Sequence, residues 1–478
     1  MSSEHTTSFI NGEFIAAAPE DEDLDVLNPS TTERITTVKI SSPEVVDRAV
    51  AAARAAQDRW RRLPQTERAR YMIAIADEMQ RRHEDFVVDL MTEQGKVRAH
   101  AEGEVGKAIG YFRYMAEWAR RIEGEVIPSD RPGELIVLQR RPIGVVAGIC
   151  PWNYPLFLLS RKVAPALITG STLVIKPAED TPINALMFAE VCAAVGLPAG
   201  VFNLVLGTGA VGAAMSGHPG VDFVTFTGST ATGAKIMESA SKSVTKVSLE
   251  LGGKAPAIVL KDADLDLAVE KIAESRLLNN GQVCTCAERV YVERPVADEF
   301  IKRIGERLGR LKTGDPADPT VDVGPLVNRK AADRTRKVLD EALAAGATLV
   351  AGGGRVDSPG YFFPPAVIRV DDPAADILYN EVFGPILPVH VVENVDEAIE
   401  RANDCEYGLA SSLYTNDLNM TLRVIDELQF GEVYVNRENE EAIQGFHAGI
   451  KASGIGGADG KHAIEEYTTT QVSYIQRH

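Results

Sequence analysis

The sequence predicts an α/β protein: a doubly wound parallel sheet, a second α/β unit and a small β element. Three observations carry this expectation. Between residues 143 and 260, short β-branched runs alternate with helix-like runs. Strands buried on both faces and joined by helical crossovers read in this way. A second α/β alternation occupies residues 265 to about 428. A chain of 478 residues is also too long for one hydrophobic core, so two or three domains are expected.

Two amphipathic helices come first. Residues 43–60 are rich in alanine, and a longer helix after Pro64 places Met72, Ile75, Met79, Phe86 and Leu90 at helical spacing. Such a stripe reads as core packing. Residues 124–141 hold Pro128, Asp130, Pro132 and Gly133 between short extended runs, as a hairpin does. Strands are then expected at 143–149, 172–175, 202–206, 223–227 and 257–260. Helices are expected at 156–168, 183–195 and 230–241. The end, from Tyr467 to Tyr474, reads as a strand whose partner is the 124–141 hairpin or a neighbouring subunit.

Composition narrows the function classes. The formal net charge is −18; nucleic acid and anionic membrane surfaces need a basic face, so neither is an expected partner. Five cysteines without framework spacing argue for free thiols in a reducing compartment. The opening Met1-Ser2-Ser3-Glu4-His5 is polar, and apolar runs such as 143–150 are too short to span a bilayer. A cytoplasmic location is expected.

Several residues could carry chemistry. Cys284 sits in Asn279-Asn280-Gly281-Gln282-Val283-Cys284-Thr285, a small polar setting unlike that of a buried structural cysteine. A helix beginning there would lower its thiol pKa. Cys286 is expected to face elsewhere. Glu250 ends an apolar run before Gly252 and Gly253 and suits a general base that activates water; the glycines let backbone pass close to a ligand. Asn153, between Pro151 and Pro155, is a candidate amide donor to an oxyanion. Lys176 and Glu179 end the second strand of the sheet, where they could hold ribose hydroxyls. Two turns could meet a pyrophosphate: Gly207-Thr208-Gly209-Ala210-Val211-Gly212, which matches G-x-G-x-x-G, and Gly228-Ser229. Spacing alone does not choose between them.

Laid out in this order, the chain resembles the aldehyde dehydrogenase family over nearly its whole length. The residues that carry the resemblance are Pro151-Trp152-Asn153, Lys176-Pro177-Ala178-Glu179, Phe226-Thr227-Gly228-Ser229, Glu250-Leu251-Gly252-Gly253-Lys254, Gly281-Gln282-Val283-Cys284 and Glu381-Val382-Phe383-Gly384-Pro385. Segments 114–121, 284–289 and 444–449 are similar to the lactaldehyde/glycolaldehyde branch.

The resemblance implies a Rossmann-like NAD domain at 1–123 plus 142–250, an α/β catalytic domain at 251–450, and an oligomerisation element at 124–141 plus 451–478. It implies Cys284 as nucleophile, Glu250 as base for thioester hydrolysis, and Asn153 with the Cys284 N–H as oxyanion donors. Trp152, Lys176, Glu179, Gly228, Ser229, Glu381 and Phe383 would contact the cofactor, and the Gly207–Gly212 match becomes secondary. Glu179 would repel a 2′-phosphate, so NAD is expected over NADP. Arg161, Thr285, Glu441 and His447 lie on segments that approach the cysteine in this family, and a polar pocket of this kind predicts a small 2-hydroxyaldehyde. Glyceraldehyde, succinate semialdehyde, or a coenzyme A-acylating reaction are the alternatives; Glu250 favours hydrolysis. No metal is implied, and self-association as dimer or tetramer is.

Overall fold

In a computed structural model, which describes residues 6–477, the described residues form two large sheets, a three-stranded one and two two-stranded pairs. The first has eight strands, in the order Glu13–Phe14, Phe9–Ile10, Phe202–Leu204, Thr172–Lys176, Val145–Ile149, Phe223–Thr227, Lys246–Glu250 and Gly454–Ile455. The five inner strands run parallel, and both ends are closed by antiparallel pairings. The parallel part begins at Val145–Ile149, winds outward to Phe202–Leu204, then crosses to Phe223–Thr227. That reversal leaves a crevice at the carboxyl ends of Val145–Ile149 and Phe223–Thr227, the place where such sheets bind ligands. The helix Pro155–Thr169 is buried at every residue between layers, so apolar residues dominate all its faces.

The second sheet has seven strands: Thr348–Gly352, Ala366–Arg369, Ile386–Val392, Arg289–Glu293, Pro256–Val259, Ala410–Tyr414 and Glu432–Val435. All its pairings are parallel except that of Thr348–Gly352. The α/β class is therefore as expected. The run at 257–260 is not part of the first sheet, however. It is the strand Pro256–Val259 inside the second, between Arg289–Glu293 and Ala410–Tyr414, because Gly252 and Gly253 carry the chain across after Glu250. The parallel strand missing from the sequence reading is Lys246–Glu250, whose outer end is polar and exposed.

The helix expected after Pro64 is not continuous. It stops at Arg81, Arg82 leaves helical geometry, and a second helix covers His83–Asp89, followed by a π-turn at Leu90–Gln94. The hairpin and the terminal strand pair as the sequence suggested. Glu134–Pro142 lies between Glu125–Ile127 and Thr468–Gln476, all antiparallel. Of the 451–478 stretch, only this last strand joins the small sheet. Gly454–Ile455 closes the first sheet, and Ala463, Ile464 and Tyr467 bury themselves in the core below it. Residues 1–5 and 478 of the expected domains lie outside the described residues. Among the described residues, no helix is long and apolar enough to cross a membrane.

Candidate active site

Cys284 lies on a loop fixed by its neighbours. Asn279, Asn280 and Gly281 have left-handed backbone, with φ of 47°, 58° and 73°, a turn that asparagine and glycine tolerate. A Cβ on Gly281 would lie 2.6 Å from the Gly384 carbonyl, so the loop packs directly on the segment carrying Phe383. No helix begins at Cys284, contrary to expectation; residues 282–288 are turn and coil. Cys284 is half-buried, whereas Cys286 is fully buried. The Cys286 sulfur accepts from Arg276 at 3.2 Å, and burial pushes its thiol up to about 12. The thiolate is the nucleophilic form of cysteine, and burial keeps Cys286 protonated.

Asn153 ends the turn after Val145–Ile149. Its side-chain amide donates to the Gln282 carbonyl at 2.9 Å, on the Cys284 loop. An amide nitrogen carries two N–H groups, so a second donor remains. The Asn153 carbonyl accepts from Lys96 at 2.6 Å and from Asn279 at 2.9 Å. The turn is thus pinned on both sides, a precondition for a rigid oxyanion donor.

Glu250 stands at the carboxyl end of its strand, in register with Thr227. Burial raises its carboxyl to about 7, with His447, Arg161 and Lys162 opposing the shift. Neither carboxylate oxygen has a hydrogen-bond partner among the described residues. A buried carboxylate near neutrality, free to accept, is suited to general-base work. The two glycines after it bring loops together. A Cβ on Gly253 would lie 2.5 Å from the Cys284 carbonyl, and one on Gly252 would meet Glu381 at 3.0 Å. Glu381 accepts from the Gly253 N–H at 2.8 Å, and burial raises it to about 7.

A cavity of about 270 Å³ opens at the thiol. Asn153, Arg161, Cys284, Thr285 and Glu441 line it, with Tyr154, Phe157 and Lys107. Arg161 is buried and donates to Glu441 at 2.7 Å and to Asp459 at 2.8 Å. Lys107 reaches Glu441 at 3.2 Å, and Lys107 and Arg161 together hold the Glu441 carboxyl far below its usual range despite burial. The Thr285 hydroxyl donates to the Asn439 carbonyl at 3.2 Å. His447 does not line this cavity; it lies against Glu250.

A second cleft, of about 540 Å³, opens at the sheet's crevice. Trp152, Lys176, Glu179, Gly212 and Gly228 line it. Lys176 and Glu179 are 3.2 Å apart. The helix Thr230–Ser241 begins here, capped by Ser229, and the Gly228 N–H is spent on the Glu250 carbonyl at 3.0 Å. Helix amides, a lysine–carboxylate pair and an open cleft of this size fit a dinucleotide. Both glycine turns therefore face one cleft, since Gly209 and Gly212 line it too. Trp152 meets Phe383 edge to face, with ring centroids 5.5 Å apart; Phe383 has φ of 51°.

The sequence reading missed Lys162, Glu288, Lys96 and Asp459. Lys162 donates to Thr227 at 2.9 Å, and burial lowers it to about 8. It lies one helical position after Arg161, where nothing in the sequence separates a buried lysine from a surface one.

A family model described as "Aldehyde dehydrogenase family" matches residues 15–473. The chain belongs to the aldehyde dehydrogenase family. Lactaldehyde dehydrogenase of Escherichia coli is 48% identical over 470 residues, covering 98% of both chains. The solved structure of lactaldehyde dehydrogenase from Escherichia coli superposes with a TM-score of 0.97 over 99% of both chains. Succinate-semialdehyde dehydrogenase [NADP(+)] of the same organism is 41% identical over 466 residues, 96% of this chain and 95% of that one. As a member of this family, the protein is an oxidoreductase that acts on aldehydes with NAD or NADP.

Proposed function

We propose that this aldehyde dehydrogenase oxidises a small 2-hydroxyaldehyde, such as lactaldehyde or glycolaldehyde, to its acid, using NAD. The observation that carries this reading is the cavity at Cys284, lined by the buried Arg161–Glu441 pair. A pocket built from hydrogen-bonding groups favours a hydroxylated substrate over an analogue that leaves those groups unpaired. Similarity to lactaldehyde dehydrogenase supports the same class.

The charge in the pocket also disfavours the semialdehyde alternative. Arg161 is already held by two carboxylates, Glu441 and Asp459. The semialdehyde of a dicarboxylic acid would bring a further carboxylate against Glu441, where the cavity's Arg161 and Lys107 are already paired with carboxylates.

In this reading Cys284 adds to the aldehyde carbon, giving a thiohemiacetal whose oxygen is held by Asn153 and the Cys284 N–H. A bound nicotinamide would supply the hydride acceptor for that carbon. A thioester remains on Cys284. Glu250 takes a proton from water, the water oxygen adds to the thioester carbonyl, and the carbon–sulfur bond breaks to release the acid. Trp152, Lys176, Glu179, Gly228, Ser229, Glu381 and Phe383 hold the cofactor. Thr285 ties the nucleophile loop to the 439–441 loop, which presents Glu441. Glu179 places a carboxylate beside the adenosine ribose, which opposes a 2′-phosphate.

On this reading the described residues of 1–123, with 142–250, make up the cofactor domain, and 251–450 the catalytic domain. The small sheet exposes Val126 and Ile475 on one face and Val472 and Tyr474 on the other, apolar surface suited to self-association. The acidic surface and free thiols fit a cytoplasmic enzyme.

An aldehyde panel with both cofactors tests the reading. Lactaldehyde and glycolaldehyde should show higher kcat/KM than propionaldehyde and succinate semialdehyde, and NAD higher than NADP. Equal efficiency with propionaldehyde would sink the hydroxyaldehyde assignment. Acid rather than acyl-coenzyme A should be the product.

A further inference from the structure

Asp459 has a backbone conformation that its residue type does not favour. Its φ and ψ are 71° and 167°, a region that belongs almost wholly to glycine. It precedes the helix Gly460–Glu466 yet makes no side-chain cap there, the usual reason for an aspartate at such a position. Its side chain, with no exposed surface, turns instead to Arg161, 298 residues away in the chain. Asp459 Oδ2 accepts from Arg161 Nη2 at 2.8 Å.

The backbone is held in this shape from both sides. Ala458 exchanges two hydrogen bonds with His447, of 2.8 and 3.0 Å, and the Gly460 N–H donates to the Ile443 carbonyl at 3.0 Å. A Cβ on Gly460 would run into the Gly445 carbonyl, so the turn packs directly on that loop. Strain of this kind persists only where the surroundings over-determine it, and it collects at functional sites.

Arg161 is confined in turn. Nη2 carries both of its ion pairs, to Glu441 at 2.7 Å and to Asp459 at 2.8 Å, and Cζ sits 4.6 Å from the centroid of the Phe157 ring. Nε has no hydrogen-bond partner among the described residues, and Nη1 makes neither ion pair. Arg161 and Phe157 both line the cavity at Cys284. The charges there cancel. Glu441 has a cation of its own in Lys107, 3.2 Å away, so Asp459 is the carboxylate that offsets Arg161. Burial raises the Asp459 carboxyl, while Arg161 and then His447 draw it back toward the ionised form.

We propose that Asp459 is a specificity-determining residue: it fixes the Arg161 guanidinium and offsets its charge, so that the cavity accepts a 2-hydroxyl and rejects a carboxylate in the same place. This rests on the hydroxyaldehyde reading of the site. A paired guanidinium still donates N–H groups to a neutral oxygen. A buried carboxylate needs a cation that is not already matched. Without the Asp459 charge, Arg161 becomes that cation, because Glu441 is shared with Lys107.

Glycolaldehyde and glyoxylate are the probes, since beside the aldehyde one carries a hydroxymethyl group and the other a carboxylate. Propionaldehyde, with neither, is the reference. kcat and KM are measured for the full-length enzyme and for its Asp459→Asn and Asp459→Gly variants. Comparing ratios between variants cancels any general loss of activity and the hydration of each aldehyde. Asp459→Asn keeps the side-chain shape and Asp459→Gly suits the backbone, so one reports if the other does not fold. In both, kcat/KM for glyoxylate relative to glycolaldehyde should rise by about tenfold or more, chiefly through KM. Glycolaldehyde should also lose ground to propionaldehyde. A merely structural role would lower all three aldehydes together. Unmoved ratios in both variants, with the wild type preferring glycolaldehyde to propionaldehyde, would overturn the assignment of Asp459 alone. A wild type without that preference would overturn the hydroxyaldehyde reading and this inference with it.

Discussion

Lys96 Nζ donates to the carbonyl of Asn153 at 2.6 Å from a side chain with no exposed surface. Its charge is met by Glu104, equally buried, and its ammonium sits 3.8 Å from the Tyr154 ring centroid. Glu104 in turn accepts from the N–H groups of Leu156 and Phe157, at 2.9 and 3.1 Å, at the start of the helix that follows. One ion pair thereby holds the whole turn that presents Asn153. Lys96→Met strands Glu104 as an unpaired buried charge, which should destabilise the fold by about 3–5 kcal/mol. Urea unfolding would measure this loss, and kcat should fall with it as Asn153 loses its support.

Cys284→Ala should abolish turnover while leaving cofactor binding intact. Cys286→Ala should keep turnover, because burial holds that thiol protonated. Iodoacetamide followed by peptide mass mapping is the check: Cys284 should be alkylated and Cys286 should not. Dehydrogenase activity retained by Cys284→Ala would refute the covalent route.

Glu250 makes activity and stability run in opposite directions with pH. Its carboxyl is raised to about 7, chiefly by burial. As a base it works only when ionised, so thioester hydrolysis should fall as pH drops through about 7. A raised folded-state pKa contributes stability that is fully present below the unfolded value and lost as pH rises through about 7. Glu250→Gln should slow hydrolysis by about 10²–10⁴-fold. It should also remove this residue's share of the stability change, read by unfolding at pH 5 and pH 8.

Glu288 has the reverse sign. It meets Lys254 and Arg276, both at 2.8 Å, and accepts from the N–H groups of Val382 and Phe383. Burial alone would raise it, yet Arg276 and Lys254 hold it down at about 2. Its contribution to stability is present above the unfolded carboxyl value and lost as pH falls through about 2. Glu288→Gln should lower Tm at neutral pH and loosen the segment bearing Glu381 and Phe383, seen as a raised KM for the cofactor.

Glu179→Gln should narrow the preference for NAD over NADP by removing the charge that opposes a 2′-phosphate. The ratio of the two kcat/KM values is the measurement. An unchanged ratio would place cofactor choice elsewhere in the cleft.

The strands from Val145–Ile149 to Phe223–Thr227 were legible because each is a short apolar run between helices. Lys246–Glu250 was not, because it begins polar and exposed. The candidate nucleophile and base stood out from their local settings, Cys284 among small polar residues and Glu250 before two glycines. His447 read only as a polar residue near the site, and Lys96, Lys162 and Glu288 did not stand out at all. Their roles lie in partners far along the chain, such as Glu104 with Leu156 and Glu288 with Phe383.

The sequence by itself determined the α/β class and the family resemblance, and it singled out the candidate reacting groups, since these depend on local pattern and residue type. Only the tertiary structure decided which sheet receives Pro256–Val259. It also set His447 between Glu250 and Glu432, and closed Arg161 between Glu441 and Asp459. The physical reason is burial. A charged side chain far from water takes its protonation and its role from the neighbours the fold supplies, and those neighbours come from distant segments.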